Sequence, residues 1–526
     1  MFNIKTVHKP TFSPDKTPTL LLIAMMAIGA SLLRNNHDFN LTQSCAELAN
    51  FLAWHLRWKL FMHSQFGPPG KLWVFQSLLL LEVYEKMYST RALHERAHIH
   101  HATTITNMRR GSSLIGRSAL DSPPSVRDGK HGFNGSRQSS ASGTNTPNEW
   151  WNHWITNEAT HRAAWAAFVI DSVHATMFGH STVMVAHEMR LQLPCDEALW
   201  SASNGAEVGK MEASMHANGI KRLSLMEGLK RTLEGQEVPT NAFGRTILMA
   251  GLLSVRWHMN QRDLQLNSLG SLAQGGVHKW RGPLIRAFDH WKADFDRALA
   301  NTRSTNNGPY MRGSKQDEEI VFESRTVLHH LAHMAMHVDI IECQIFARAK
   351  RLLGRNIGQK DLRDCTRMMK DRWAPTAKAR DATFYALQFL CTVLNPEDYS
   401  GNNLGFEPPT YSAREDVLMN KSWVLYFAAL TVWCYAFALE GSSQTHLPSD
   451  DPKEQVRSMR VFLRKMSKVK SPEDLKLVTG FNECAGMLQV LQLTFADTRW
   501  ELLHEAANLL TNCVKLIGGQ MPANPP

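Results

Sequence analysis

Apolar residues recur at intervals of three and four along most of this chain, and no stretch alternates apolar with polar residues between hairpin turns. A period near 3.6 lays a stripe along one side of a helix, whereas a half-buried strand needs a period of two. The pattern predicts an all-α fold, a large multi-helix domain with mobile polar insertions, and argues against any substantial sheet. Material for a large interior is present: 526 residues include 15 Trp, 23 Phe and 24 Met, with 43% hydrophobic and 20% charged. Such a composition excludes wholesale disorder, and the length excludes a stapled mini-protein.

Turn residues and shifts in composition divide the chain. Residues 1–18, with Pro10, Pro14 and Pro18, read as a mobile tail, and 19–108 as successive helices broken at Gly67-Pro68-Pro69-Gly70. Residues 109–148 change character. From Arg109 to Pro147 there are nine Ser, six Gly and six Lys+Arg, too little apolar surface to offset the entropy of ordering, so a disordered basic insertion is expected. Helical patterning resumes over 149–300, weakens from Asn267 to Gly276, and yields to a polar linker at 301–320. Residues 321–516 read as a helical C-terminal part with loops near 395–415 and 441–455, and 517–526 as a tail.

Two apolar runs invite a membrane reading. Thr19 to Leu33 follows Lys5, Lys9 and Lys16 as a signal peptide would, but three prolines precede it, Ile28 suits a cleavage site poorly, and helical patterning continues through Leu41 to Phe61. Ser422 to Leu439 is uncharged yet only 18 residues long, the lower limit of a span. Both are read as buried helices, and no membrane association is expected.

Eight cysteines lie at 45, 195, 343, 365, 391, 434, 484 and 513, the closest pair 22 positions apart. With no C-x2-C or C-x4-C, neither a zinc finger nor a thioredoxin-type site is encoded. Scattered thiols of this kind suit a reducing compartment.

The 24 histidines form two clusters at helical spacing. His94, His98 and His101 share a face and are expected to continue the stripe of Val83 and Met87 on one helix. His329, His330, His333 and His337 lie within a run from Val327 to Phe346, where His330, His333 and His337 flank a stripe of Leu331, Met334, Val338, Ile341 and Ile345, while the nearest acids in sequence, Asp339 and Glu342, fall on the opposite flank. His94-x-x-x-His98 and His330-x-x-His333 are similar to the boxes of membrane di-iron oxygenases, but the paired long spans are missing, and boundary histidines without metal are the preferred reading. Gly179-His180-Ser181-Thr182-Val183 lacks the second glycine of a nucleophile elbow, and there is no P-loop or G-x-G-x-x-G. No catalytic residue, cofactor or enzyme activity is expected.

The formal charge is +10, from 58 Lys+Arg against 48 Asp+Glu. Arg457, Arg460, Arg464, Lys465, Lys468 and Lys470 come without an acid among them, beside Val456, Met459, Leu463 and Met466 at helical spacing. This describes a basic amphipathic helix, whose Arg457, Arg460, Arg464 and Lys468 are either solvated or in contact with an anion.

The text from Leu78 (LLLLEVYEKMYSTRALHERAHIHH) and from Trp150 (WWNHWITNEATHRAAWAAFVIDSVHATMFGHS) to Trp200 resembles the regulatory, or middle homology, domain of fungal-specific transcription factors, in the branch that carries paired C2H2 zinc fingers. His329 to Gly354 and Trp423 to Ala438 extend the resemblance over most of the chain. Trp151, Trp154, Ile155, Glu158, Arg162, Asp171, His174, Phe178, Leu193, Pro194, Cys195 and Trp200 match its pattern, while His161 stands where the first of two arginines is usual. The resemblance implies a nuclear regulator of transcription that reaches DNA through fingers absent from this chain and works with other transcription regulators. Zinc would belong to those fingers alone. A finger-less interaction module is the alternative, and a membrane metal oxygenase a more distant one.

Within that block the residues read as scaffold. Glu158 precedes Arg162 by four, the favourable order for a helical ion pair, and Ala159, Ala163 and Ala166 permit close approach of a neighbour. Pro194 is expected to end one helix and admit the next. Arg109-Arg110-Gly111-Ser112 has the basic-basic-x-Ser form favoured by basophilic kinases, which nominates Ser112 or Ser113 for phosphorylation.

Overall fold

The computed structural model describes residues 6–31, 33, 39–111, 147–219, 221–268, 279–304, 315–394, 411–442 and 450–520. Ser112 and Ser113, with most of the basic insertion, lie outside the described residues, as do most of the loop near 395–415 and the last six residues.

The fold is all-α. In chain order the helices are α1 (Thr19–Ser31), α2 (Phe39–Phe61), α3 (Leu72–Met87), α4 (Arg91–Arg110), α5 (Pro147–Phe178), α6 (Glu197–Trp200), α7 (Gly205–Ala217), α8 (Leu225–Leu233), α9 (Ala242–Ser268), α10 (Arg281–Ser304), α11 (Lys315–His337), α12 (Ile340–Phe346), α13 (Gln359–Arg367), α14 (Ala377–Leu394), α15 (Met419–Glu440), α16 (Pro452–Met466), α17 (Ala485–Ala496) and α18 (Glu501–Ile517). Strand among the described residues amounts to a two-residue hairpin, Arg351–Leu352 against Arg355–Asn356. Starts are capped by side chains that take up orphan amides: Thr90 for α4, Asn204 for α7, Ser224 for α8 and Asp339 for α12.

Two helices organise the rest. Every residue from Arg162 to Phe178 of α5 and from Ser422 to Ala436 of α15 is buried, and a helix covered on all sides belongs at the heart of a large domain. They meet where Trp423 donates its indole N–H to the carbonyl of Met177 at 2.8 Å and packs at a tilt against Phe178. α1 to α4 pack on the α3 side of α5, α9 and α10 on another, and α11, α14, α17 and α18 surround α15. α15 is long and apolar enough to cross a membrane, but 83% of its most apolar window is covered by the protein itself. One apolar core runs from Ala24 to Ile517.

Several local expectations change. Val83 and Met87 do not share a helix with His94, because the turn at Tyr88-Ser89-Thr90 separates α3 from α4 and the Thr90 hydroxyl caps the new helix. The run from Val327 to Phe346 likewise breaks at Val338-Asp339, where Asp339 accepts from the amide of Ile341. Pro194 ends no helix: α5 stops at Phe178, and Pro194 is buried in an extended segment ahead of α6, whose cap is Asp196. Helix occupies both ends of the stretch read as a linker, since α10 continues to Ser304 and α11 starts at Lys315. Residues 6–18 pack down rather than trail: the Gln76 amide donates to the carbonyl of Thr6 at 2.6 Å, and the His8 ring sits edge-on to Trp151 and Trp200.

Candidate functional site

Two polar clusters lie inside the helical block that carries the resemblance. The first is centred on Arg162, which is fully buried on α5. Its Nε donates to Glu158 at 3.1 Å, one Nη to Glu197 at 3.2 Å and the other to the carbonyl of Cys195 at 3.1 Å. The guanidinium lies 4.4 Å from the ring centroid of Trp200, a cation–π contact that a desolvated site strengthens. Glu158 accepts in turn from the amide of Cys195 at 2.9 Å and from Arg222 at 3.1 Å. Burial works to raise the Glu158 carboxyl, but Arg162 and Arg222 hold it below its usual range. The chain around Leu193-Pro194-Cys195 is thereby tied to α5, and Asn241 adds a 2.7 Å hydrogen bond to the same Cys195 carbonyl.

Trp151 packs beside this cluster with Cys195, Leu199, Trp200 and Val208, and Trp154 stacks on it at 5.5 Å while donating to Glu212. His161 is half-buried, and burial lowers its pKa.

The second cluster joins α3, α4 and α5. His101 has Nδ1 3.0 Å from Glu82 and Nε2 3.0 Å from Asp171, all three buried. Asp171 also accepts from the amides of Val183 and Met184 at 2.8 to 3.0 Å, and Lys86 reaches Glu82 at 2.6 Å. Burial works to lower the pKa of His101, yet the charge of Glu82 and the hydrogen bonds that both acids accept raise it overall. The two carboxylates thus favour the protonated form of the ring between them. Around them His94, His98, His174 and His180 are all pushed down by burial, His94 to about 4. The His98 and His180 rings lie against each other, centroids 4.1 Å apart and planes tilted by 40°.

A third buried group is Glu85, gripped by Arg57 from α2 and Arg96 from α4, with Arg96 donating to the carbonyls of Ala53 and Trp54 at 2.8 Å. Glu82, Glu85, Lys86, Arg57 and Arg96 escaped the sequence reading. The signal was a pair of acids and a lysine inside the otherwise apolar run from Leu78, where only buried partners would make charge tolerable.

The basic residues near the C-terminus divide. Arg457 and Arg464 are exposed on α16 while Arg460 is partly covered, and Lys468 lies beyond its last residue, Met466, so the helix is shorter than the basic run. Lys465 is paired with Glu483 at 3.0 Å.

Residues 2–293 match the family described as Fungal specific transcription factor domain. The chain is 28% identical to the nicotinate catabolism cluster-specific transcription factor of Emericella nidulans, over 96% of this chain and 53% of that protein. It is 23% identical to zinc finger protein klf1 of Schizosaccharomyces pombe, over 97% of this chain and 59% of that protein, and 25% identical to zinc finger protein zas1 of the same organism, over 84% and 44%. This chain thus spans about half the length of the curated relatives it matches. No solved structure matches it.

Proposed function

Because this chain belongs to the fungal-specific transcription factor domain family, a family of regulators and not of enzymes, we propose that it is the regulatory part of a nuclear transcription factor whose DNA specificity comes from zinc fingers. The observation that carries this reading is the lopsided overlap with its relatives: nearly all of this chain aligns with about half of each of two transcription-factor or zinc-finger proteins. The helical block accounts for regulation and positioning, while base reading needs an element presented to a groove. No closely spaced cysteine pair occurs in these 526 residues to hold a C2H2 finger.

In this reading 19–108, 149–300 and 321–516 are one regulatory unit, supported by the large apolar core to which all three contribute. Trp151, Trp154, Glu158, Arg162, Asp171, His174, Pro194 and Trp200 serve as its scaffold. Arg457, Arg460, Arg464 and Lys468 supply phosphate attraction without sequence information. Other transcription regulators are its protein partners, and phosphorylation at Ser112 or Ser113 would weaken anionic contacts by adding about two negative charges. Footprinting with the purified chain at physiological salt tests the division of labour. Weak, salt-sensitive protection with no preferred site is expected, and a sequence-specific footprint would overturn it.

A further inference from the structure

The second histidine cluster meets an acid that its own helix does not supply. Asp289 on α10 places Oδ1 3.0 Å from Nε2 of His329 and 3.0 Å from Nε2 of His333, both on α11, and those two nitrogens are 3.1 Å apart. Spacing of four residues sends both rings from one face of α11. His330, paired with His333 in the sequence reading, instead turns its Nδ1 back to the carbonyl of Thr326 and stacks on Phe389.

Three contacts converge here, and protons do not satisfy them. A neutral imidazole carries one N–H. If both rings donate to Asp289, two N–H groups confront each other at 3.1 Å. If one ring surrenders that proton to accept from the other, a contact with the carboxylate is left without one. A cation facing two nitrogen lone pairs and a carboxylate oxygen satisfies all three. We propose that Asp289, His329 and His333 bind one divalent transition cation of the zinc class, with water completing its coordination.

The geometry has room for it. A centre about 2.1 Å from each donor, the usual zinc bond length to nitrogen or carboxylate oxygen, lies roughly 1 Å off the plane of the three atoms. The Asp289 side chain is 51% exposed whereas those of His329 and His333 are 6% and 0% exposed, which gives an entry side and a dry floor. The His333 ring is fixed by stacking on Tyr385, centroids 3.8 Å apart and planes 15° apart, and by the edge of Phe288. Nδ1 of each ring is buried without a hydrogen-bond partner, so packing takes the orienting role that a second hydrogen bond usually plays. The neighbouring cations Lys292 and Arg325 are both paired with Asp296, leaving Asp289 to the histidines. The site contains no cysteine and is distinct from any finger. Bound metal would clip α10 to α11.

The test uses the purified 526-residue chain, stripped with a chelator and titrated with zinc chloride, and separately with cobalt followed by its visible absorption. One equivalent per chain is expected, with a rise of several degrees in melting temperature. Asp289→Asn, an isosteric change at the exposed ligand, and His329→Gln are each expected to weaken binding at least tenfold, while His216→Gln, on the exposed side of α7, leaves it unchanged. Absence of a stoichiometric equivalent in the unaltered chain overturns the proposal, and so does zinc affinity in both ligand variants equal to that of the unaltered chain.

Discussion

His101 and Asp171 face each other across the junction of α4 and α5, Nε2 to Oδ1 at 3.0 Å, while the other nitrogen of the same ring rests on Glu82 of α3. One imidazole thus holds three helices, and Asp171 extends the link to the amides of Val183 and Met184. Replacing His101 with Ala leaves Glu82 with Lys86 alone and Asp171 with only the amides of Val183 and Met184. Breaking a buried pair in this way costs about 3–5 kcal/mol, to be read from urea unfolding. Because the folded-state pKa of His101 is raised, its contribution is complete below the unfolded value near 6.5 and disappears as pH rises through the folded value. The gap between the two proteins is therefore expected to narrow in alkali, and a constant gap from pH 6 to pH 10 contradicts the assignment.

The surrounding histidines work in the opposite direction. Burial lowers His94, His98, His174 and His180, so the unfolded chain takes up protons that the folded chain refuses. Their contribution is present above about pH 6.5 and is lost as pH falls towards the folded values, about 4 for His94. The melting temperature is expected to drop steadily between pH 6.5 and 5. Substituting both of the neighbouring rings, His98→Asn with His180→Asn, is expected to flatten that slope; an unchanged slope rules these two residues out as its source.

Neighbouring positions on α5 differ sharply in what they carry. Arg162→Ala removes the buried guanidinium that Glu158, Glu197 and the Cys195 carbonyl share, leaving Glu158 only Arg222 and the Cys195 amide, a loss of about 3–5 kcal/mol, whereas His161→Ala removes a half-buried ring with no such network and is expected to cost about 1 kcal/mol or less. Denaturation midpoints of the two variants settle it, and equal shifts count against the Arg162 cluster.

Gly179 ends α5 with φ of 75°, and a Cβ there would lie 2.5 Å from Cγ1 of Ile341 on α12. Gly179→Ala therefore meets both backbone strain and a clash, together on the order of 2–4 kcal/mol. Adding Ile341→Ala relieves the clash alone. Partial recovery in the double variant is expected, while simple additivity of the two losses would show that α12 does not press on this turn.

The helical class was legible because a period of 3.6 is a local property, repeated in every long helix from α2 to α18. The pairing of Glu158 with Arg162 was legible for the same reason, being one turn of helix. Contacts made across chain separation were not. Glu197 and Arg222 reach that pair from 35 and 64 residues away, and Asp289 meets His329 from 40, distances at which spacing says nothing. The breaks at Ser89-Thr90 and at Asp339 were missed because apolar periodicity runs across them in phase, and only the capping hydrogen bonds betray the change of direction.

The most direct test of the regulatory reading is to tether the chain to an unrelated sequence-specific DNA-binding domain and measure transcription from a reporter bearing that domain's site in fungal nuclei. Tethered chain is expected to change reporter output severalfold relative to the binding domain alone, and Arg162→Ala to abolish the change. Reporter output equal to that of the binding domain alone, from a fusion shown to be folded and bound at the site, would contradict the account.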